Sequence, residues 1–70
     1  MEFLKVIVPG KEGQNIDVLI NEHKNGKASE VLTLNRGFVF VSVDIPGAEE
    51  KLVDLRNTTM SRPKIEEIKA

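Results

Sequence analysis

The chain has 70 residues, a formal net charge of −1 and a pI of 5.8, with 40% hydrophobic and 30% charged residues. These values predict one small domain that spans residues 1–70, and they disfavour nucleic-acid binding, since nucleic-acid-binding domains usually carry a basic excess. Because the sequence has no Cys and one His, a disulfide framework, a thiolate zinc site and a His-rich metal site are excluded.

The N-terminal run MEFLKVIV has neither the basic region nor the cleavage site of a signal peptide. No apolar run approaches the ~20 residues that a membrane-spanning helix needs. We therefore expect a cytoplasmic chain, or a fragment of an envelope protein, without a membrane span.

The first predicted strand is FLKVIV, in which Leu4, Val6 and Val8 share one face because side chains alternate along a strand. Pro9-Gly10 ends it, since Pro has no N–H to donate to a sheet and Gly favours turns. The segment KEGQN that follows is predicted to be a loop.

The run IDVLIN fits two patterns. Ile16, Val18 and Ile20 alternate as in a strand. The same run also fits one face of a helix, whose residues would be Ile16, Leu19, Ile20 and His23. The high share of β-branched residues favours the strand. Asn25-Gly26 is predicted to end either element, as a hairpin turn or as a helix cap.

The runs SEVLTL (residues 29–34) and FVFVSVDI (residues 38–45) are predicted to form an antiparallel hairpin, with a turn at Asn35-Arg36-Gly37. The second run has two different faces. The predicted main core consists of Val39, Val41, Val43 and Ile45. Phe38 and Phe40 lie on the opposite face, and Pro46-Gly47 ends the strand.

The run AEEKLVDLRN is also ambiguous. Lys51, Val53 and Leu55 alternate as in a strand, whereas the spacing of Ala48, Leu52 and Leu55 suits a helix. A polar linker follows and leads to the last element. There, Ile65 and Ile68 are three residues apart, which suits one helical turn better than the alternation of a strand; a frayed edge strand is the alternative.

The ambiguous segments, residues 12–25 and 47–57, decide the fold class. If both are strands, the chain is all-β, a small antiparallel β-sandwich with a short C-terminal helix. If both are helices, the chain is an α+β ferredoxin-like β-α-β-β-α-β domain. The regular spacing of turns favours the sandwich. These turns are predicted at Pro9-Gly10, Asn25-Gly26, Arg36-Gly37 and Pro46-Gly47.

The run VLINEHKNGKASEVLTLNRGFVFVSVDIPG resembles the PEGA domain, a small β-sandwich module of bacterial and archaeal surface proteins. The matching positions are Val18, Ile20, Asn21, Gly26, Leu32, Leu34, Gly37, Val39, Val41, Val43 and Pro46-Gly47. The P-E-G-A run itself is absent, Glu22 replaces a Gly, and Ala48 replaces an aromatic residue. The resemblance implies a non-catalytic structural or binding module that contacts protein or envelope carbohydrate.

A second resemblance, to the third-strand signature of the RNA-recognition motif, rests on Arg36, Gly37, Phe38, Phe40 and Val41. In that family the aromatic residues stack on bases. Val39 and Val43 replace a small residue and the last aromatic, and LKVIVPG lacks the partner aromatic. The same stretch is similar to the GYVFV strand of NusG-type N-terminal domains. Both families imply the ferredoxin-like alternative, with RNA or protein bound through Phe38 and Phe40.

The candidate interaction patch is therefore Arg36, Phe38 and Phe40. The simpler interpretation of the two rings is packing beneath a loop, beneath the last element or against a second copy of the chain. The functional interpretation is an exposed surface that binds a protein, a carbohydrate or, with less support, RNA. Self-association is a further expectation, because exposed apolar side chains favour contacts between copies.

No residue pattern points to catalysis. His23 lacks partner ligands, the acidic residues lack the spacing of a calcium loop, and no Ser lies in a nucleophile-elbow motif. PGKEG lacks the ending of a phosphate-binding loop. We therefore predict no enzyme activity and no cofactor.

Overall fold

The computed structural model describes residues 1–70 and contains seven β-strands and no helix. In chain order these are β1 (Glu2–Ile7), β2 (Asp17–Ile20), β3 (His23–Lys27), β4 (Val31–Leu34), β5 (Gly37–Val43), β6 (Lys51–Leu55) and β7 (Lys64–Glu67). They form a three-stranded sheet in the order β4-β1-β7 and a four-stranded sheet in the order β3-β2-β5-β6. The all-β prediction is confirmed, and the ferredoxin-like alternative is wrong because both ambiguous segments contain strands.

One apolar core lies between the two sheets, since each strand that alternates polar and apolar residues turns its apolar face inward. Its buried residues are Leu4, Val6, Val8, Ile16, Val18, Ile20, Leu32, Leu34, Val41, Val43, Val53, Leu55 and Ile68. Val39 and Ile45 pack against them, so the predicted core face of β5 is confirmed. Every buried polar side-chain atom has a hydrogen-bond partner.

The predicted C-terminal helical turn is wrong, and the alternative of an edge strand is confirmed. Residues Lys64–Glu67 form β7, which runs parallel to β1, and the Ile68 N–H donates to the Ile7 carbonyl at 2.9 Å. Ile68 is fully buried, whereas Ile65 is 53% exposed. Residues three apart point to opposite faces of a strand, so only one isoleucine enters the core. One short isolated turn would be unstable, and pairing with β1 supplies the missing hydrogen bonds.

The predicted hairpin between residues 29–34 and 38–45 is also wrong. β4 pairs antiparallel with β1, whereas β5 pairs with β2 and β6, so the chain crosses between the sheets at Asn35-Arg36. Leu32 and Leu34 reach the core from the three-stranded sheet, while the valines of β5 reach it from the four-stranded sheet. Neighbouring strands in sequence therefore line opposite walls of the core.

The predicted turn at Asn25-Gly26 lies inside β3. The β2–β3 hairpin turns at Asn21-Glu22, where φ is 50° and 70°. Positive φ at both central residues is typical of a type I′ turn, which suits the twist of a two-residue hairpin. Asn tolerates this conformation well, and the Asn21 Oδ1 accepts a hydrogen bond from the Phe40 N–H at 2.9 Å. This bond attaches the turn to β5.

Glu2 and Thr58 join the start of the chain to the segment that follows β6. The Thr58 N–H and hydroxyl donate to Glu2 Oε1 at 2.9 and 2.6 Å, and the Phe3 N–H donates to Thr58 Oγ1 at 2.7 Å. The Thr58 hydroxyl hydrogen bond is the main cause that lowers the pKa of the Glu2 carboxyl below its ordinary value of 4.5. These contacts hold the long connection between the sheets in place.

Two further carboxylates join separate segments of the chain. The Lys69 N–H donates to Glu49 Oε1 at 2.8 Å, and this bond is the main cause that lowers the pKa of Glu49 below its ordinary value of 4.5. The hydrogen bond from the Lys27 side chain is the main cause that lowers the pKa of Asp17 below 3.8. Each carboxylate is therefore held in its charged form by the folded state.

We expect the free energy of unfolding to fall as the pH is lowered below about 4.5. Glu2, Glu49 and Asp17 all have folded-state pKa values below their ordinary ones. The contribution of these carboxylates to the free energy of unfolding is complete above their pKa values in the unfolded chain. It is lost as the pH falls through their lower pKa values in the folded chain. Urea unfolding at a series of pH values measures this, with Thr58→Ala as the comparison variant. Removal of the hydroxyl should raise the pKa of Glu2 and make the pH dependence weaker. Constant stability from neutral pH down to about pH 3 would contradict the expectation.

Candidate functional site

The outer face of the four-stranded sheet carries three exposed apolar side chains. Phe38 and Phe40 on β5 are 64% and 48% exposed, and Leu52 on β6 is 59% exposed. Phe40 lies directly opposite Leu52 in the antiparallel pairing, and Phe38 shares their face because it is two residues from Phe40. We call Phe38, Phe40 and Leu52 the outer patch.

The outer patch is exposed because no other element crosses it. The segment after β6 leads away to Glu2, where Thr58 fixes it, and the last strand joins β1 in the other sheet. The interpretation in which a loop or the last element covers Phe38 and Phe40 is therefore wrong. The inward alternation of β5 forces both rings outward once Val41 and Val43 are buried.

The two-residue spacing of Phe38 and Phe40 predicted that both rings share one face, whereas Leu52 was not among the predicted patch residues. The available signal was the alternation of Lys51, Val53 and Leu55, which already places Leu52 on the face away from the core. What the alternation does not give is the pairing of β6 with β5. That register puts Leu52 beside Phe40.

Arg36, the third residue of the predicted patch, lies at the crossing between the two sheets and is exposed. The pKa of Glu2 is lowered mainly by the Thr58 hydroxyl and, more weakly, by the charge of Arg36. Arg36 therefore lies close enough to the start of β1 to act on that carboxylate. Its side chain makes no hydrogen bond or ion pair within the chain, so it forms the charged margin of this end of the sheet.

The polar groups around the outer patch are partly engaged within the chain. Asp54, which lies opposite Phe38, accepts a hydrogen bond from the Arg56 Nε at 2.9 Å. The Ser42 hydroxyl donates to the Glu49 carbonyl at 2.7 Å. The side-chain oxygen of Asn21 is taken by the backbone of β5. The second carboxylate oxygen of Asp54 and the side-chain N–H groups of Asn21 have no partner within the chain.

On the other sheet the exposed apolar side chains are fewer, since Val31 and Ile65 lie on either side of Lys5. No group of three or more His, Cys, Asp or Glu residues could hold a metal ion, and the surface has no pocket. His23 lies exposed at the first position of β3. The structure also has no helix that is long and apolar enough to cross a membrane. We therefore take the outer patch as the candidate functional site.

Comparisons of the chain with protein-family models, with curated proteins and with solved structures find no match. The PEGA resemblance therefore rests on the matching residues of the sequence alone.

Proposed function

We propose that this chain is a non-catalytic binding module, resembling a PEGA domain, that contacts a partner protein through the outer patch. The observation that supports this proposal is the exposure of two Phe rings and one Leu side by side on adjacent strands. Contiguous apolar side chains on an ordered surface are typical of interaction sites, and aromatic residues are enriched at the centres of protein interfaces. Burial of two rings in a partner pocket would supply most of the binding energy.

The polar surroundings favour a protein partner over a carbohydrate. A sugar presents hydroxyl groups that need free donors and acceptors beside the ring on which it stacks. Near the rings, the Ser42 hydroxyl, Asp54 Oδ1 and Asn21 Oδ1 already hydrogen-bond within the chain, which leaves a sugar the second oxygen of Asp54 and the amide N–H groups of Asn21. Apolar side chains of a protein partner need no such groups. The exposed charged residues around the outer patch would then form the polar rim of the interface.

Single-stranded RNA has less support as a partner. The alternative depended on a ferredoxin-like fold, which this chain does not have. Asp54 lies directly opposite Phe38, so the phosphates of a base stacked on that ring would approach a carboxylate. RNA therefore serves as the comparison ligand in the test of the proposal.

Replacing Phe38 and Phe40 together by Ala is expected to abolish partner binding while the fold is retained. Both rings lie outside the core, so the free energy of unfolding should change by no more than about 1 kcal/mol. Ile65→Ala is the matched control, since Ile65 is similarly exposed on the other sheet. The measurement is affinity capture with the three proteins, followed by titration of a purified captured protein into ¹⁵N-labelled chain.

The titration decides the outcome. The proposal is supported if a partner binds the wild type and Ile65→Ala, shifts the resonances of the outer patch, and does not bind the double variant. Shifts that map elsewhere, or a partner that still binds the double variant, would contradict it. Tighter binding of glycan fragments or of polyuridine RNA at low salt would assign a different ligand class. Unfolding of the double variant would show that the rings belong to the core.

A further inference from the structure

β6 is an edge strand whose outward backbone groups have no partner. The N–H and the carbonyl of Phe40 are both engaged by Asn21, on the side of β2. In an antiparallel sheet the backbone groups of successive residues alternate between the two neighbouring strands. The backbone groups of Val39 and Val41 therefore bond to β6, where these residues lie opposite Val53 and Lys51. It follows that the N–H and carbonyl groups of Leu52 and Asp54 point away from the sheet.

Each of the other three edges has a feature that hinders pairing with a further strand. β3 contains an irregular register with β2 and the positive φ of Gly26, and both features disrupt an edge. β4 is close to β3, with the Leu32 side chain beside Gly26. β7 is preceded by Pro63, and the Lys69 N–H and carbonyl that follow it are both bonded to Glu49. β6, in contrast, has no Pro, no bulge and no positive φ between Lys51 and Leu55.

We propose that β6 pairs antiparallel with β6 of a second copy of the chain, about a two-fold axis at Val53. The two four-stranded sheets would then form one continuous eight-stranded sheet. For backbone hydrogen bonds to form, Leu52 or Asp54 of one copy must lie opposite Leu52 or Asp54 of the other. The two-fold axis can therefore pass only through Leu52, Val53 or Asp54. The axis at Val53 places Leu52 opposite the partner's Asp54, and these two symmetric pairs exchange four backbone hydrogen bonds.

Charge complementarity selects this register. With the axis at Val53, the exposed Glu50, just before β6, would lie opposite the partner's Arg56, just after β6, and the symmetric pair would repeat this contact. The Arg56 Nε is hydrogen-bonded to Asp54 within the chain, so its remaining N–H groups would meet the carboxylate of Glu50. An axis at Leu52 would place Asp54 opposite the partner's Glu50, and an axis at Asp54 would place two Asp54 carboxylates together. Like charges directly opposite in a sheet are destabilising, and opposite charges are favourable. Only the Val53 register sets opposite charges against each other twice.

The nearby charge of Lys51 does not oppose this pairing. Its Nζ lies 3.7 Å from a carboxylate oxygen of Glu49 and 3.8 Å from one of Glu66, so its charge is balanced within the chain. Pairing through β6 leaves Phe38 and Phe40 uncovered and brings two outer patches onto one face. Dimerisation through β6 therefore depends on its outward backbone groups and on the charges of Glu50 and Arg56, and it is independent of what Phe38 and Phe40 bind.

Sedimentation equilibrium of the whole chain tests the proposal, over concentrations from about 10 µM to about 1 mM, the range of weak strand-edge contacts. We expect the apparent molar mass to rise with protein concentration, from 7.8 kDa towards twice that value. Glu50→Arg should weaken dimerisation by about tenfold or more, since two attractive pairs become repulsive. Arg56→Glu should have the same effect. The double variant Glu50→Arg/Arg56→Glu should restore association, because the opposite charges are exchanged.

The backbone is tested with Asp54→Pro, which removes an outward N–H and leaves the β5–β6 bonds intact. Loss of the dimer, with a folded ¹H–¹⁵N spectrum for every variant, supports the proposal. A monomer at all concentrations, unchanged association in both charge variants, or failure of the double variant to restore association would overturn it. Loss of the dimer in Phe38→Ala/Phe40→Ala would indicate contact through the outer patch instead. The partner-capture experiment is judged separately, so either proposal can fail alone.

Discussion

Replacing Leu55 by Ala is expected to lower the free energy of unfolding by about 2–5 kcal/mol. Leu55 on β6 is fully buried in the core, and truncation would leave a cavity that the two sheets cannot fill without shifting. A chain of this length has a total stability of about 4–10 kcal/mol, so the variant should lose a large share of its stability. Urea unfolding at neutral pH, followed by circular dichroism, measures the loss.

Leu52→Ala is the matched control for this prediction. Leu52 lies on the same strand as Leu55 and has the same side chain, but it is 59% exposed on the opposite face. Its truncation should cost no more than about 1 kcal/mol. A shift of β6 by one residue would exchange the two faces, so the pair of variants also tests the register. A larger loss for Leu52 than for Leu55 would contradict the pairing of β5 with β6.

Replacing Gly26 by Ala is expected to cost about 2–4 kcal/mol of stability. Gly26 has a φ of 78°, a conformation that is strained for a residue with a Cβ. A Cβ at this position would overlap the Cδ2 atom of Leu32, which is itself buried in the core. The backbone strain and the displacement of Leu32 add to each other. Thermal and urea unfolding of the variant measure their sum.

Gly47→Ala separates the two contributions. Gly47 has a similar φ of 80°, but nothing lies within 4 Å of the position that a Cβ would take. This control should cost only about 1–2 kcal/mol of backbone strain. The double variant Gly26→Ala/Leu32→Ala should lose less stability than the sum of its single variants, because the smaller side chain leaves room for the methyl group. Strict additivity would show that Leu32 and Gly26 do not touch.

The candidate site was only partly predictable. The two-residue spacing of Phe38 and Phe40 placed both rings on the face opposite the core valines, as the structure has them. Their exposure depended on where the rest of the chain runs. Thr58 carries the connection after β6 to Glu2, and Ile68 carries the last strand to β1, so neither covers the rings. Both contacts join residues that are more than 50 positions apart in the chain, beyond the reach of local patterns.

Strand partners were the least predictable feature of the fold. Residues 29–34 and 38–45 have the composition and spacing of a hairpin, yet they pair in different sheets. The β2–β3 turn formed at Asn21-Glu22, although Asn25-Gly26 is the stronger turn sequence. In that register the alternating Val18 and Ile20 of β2 stay buried. Burial of the apolar face therefore outweighed the local turn preference.

The sequence by itself determined the two-residue alternation of apolar side chains in the first strand and in β5. Alternation in the first strand and in β5 set which side chains face inward, because a strand has two faces and only one can enter a single core. The absence of Cys also left apolar burial as the main source of stability. The tertiary structure alone decided which strands are neighbours, which way Ile65 and Ile68 point, and that Leu52 lies beside Phe40. Such pairings depend on contacts between distant residues, and their energies become favourable only when the whole core forms at once.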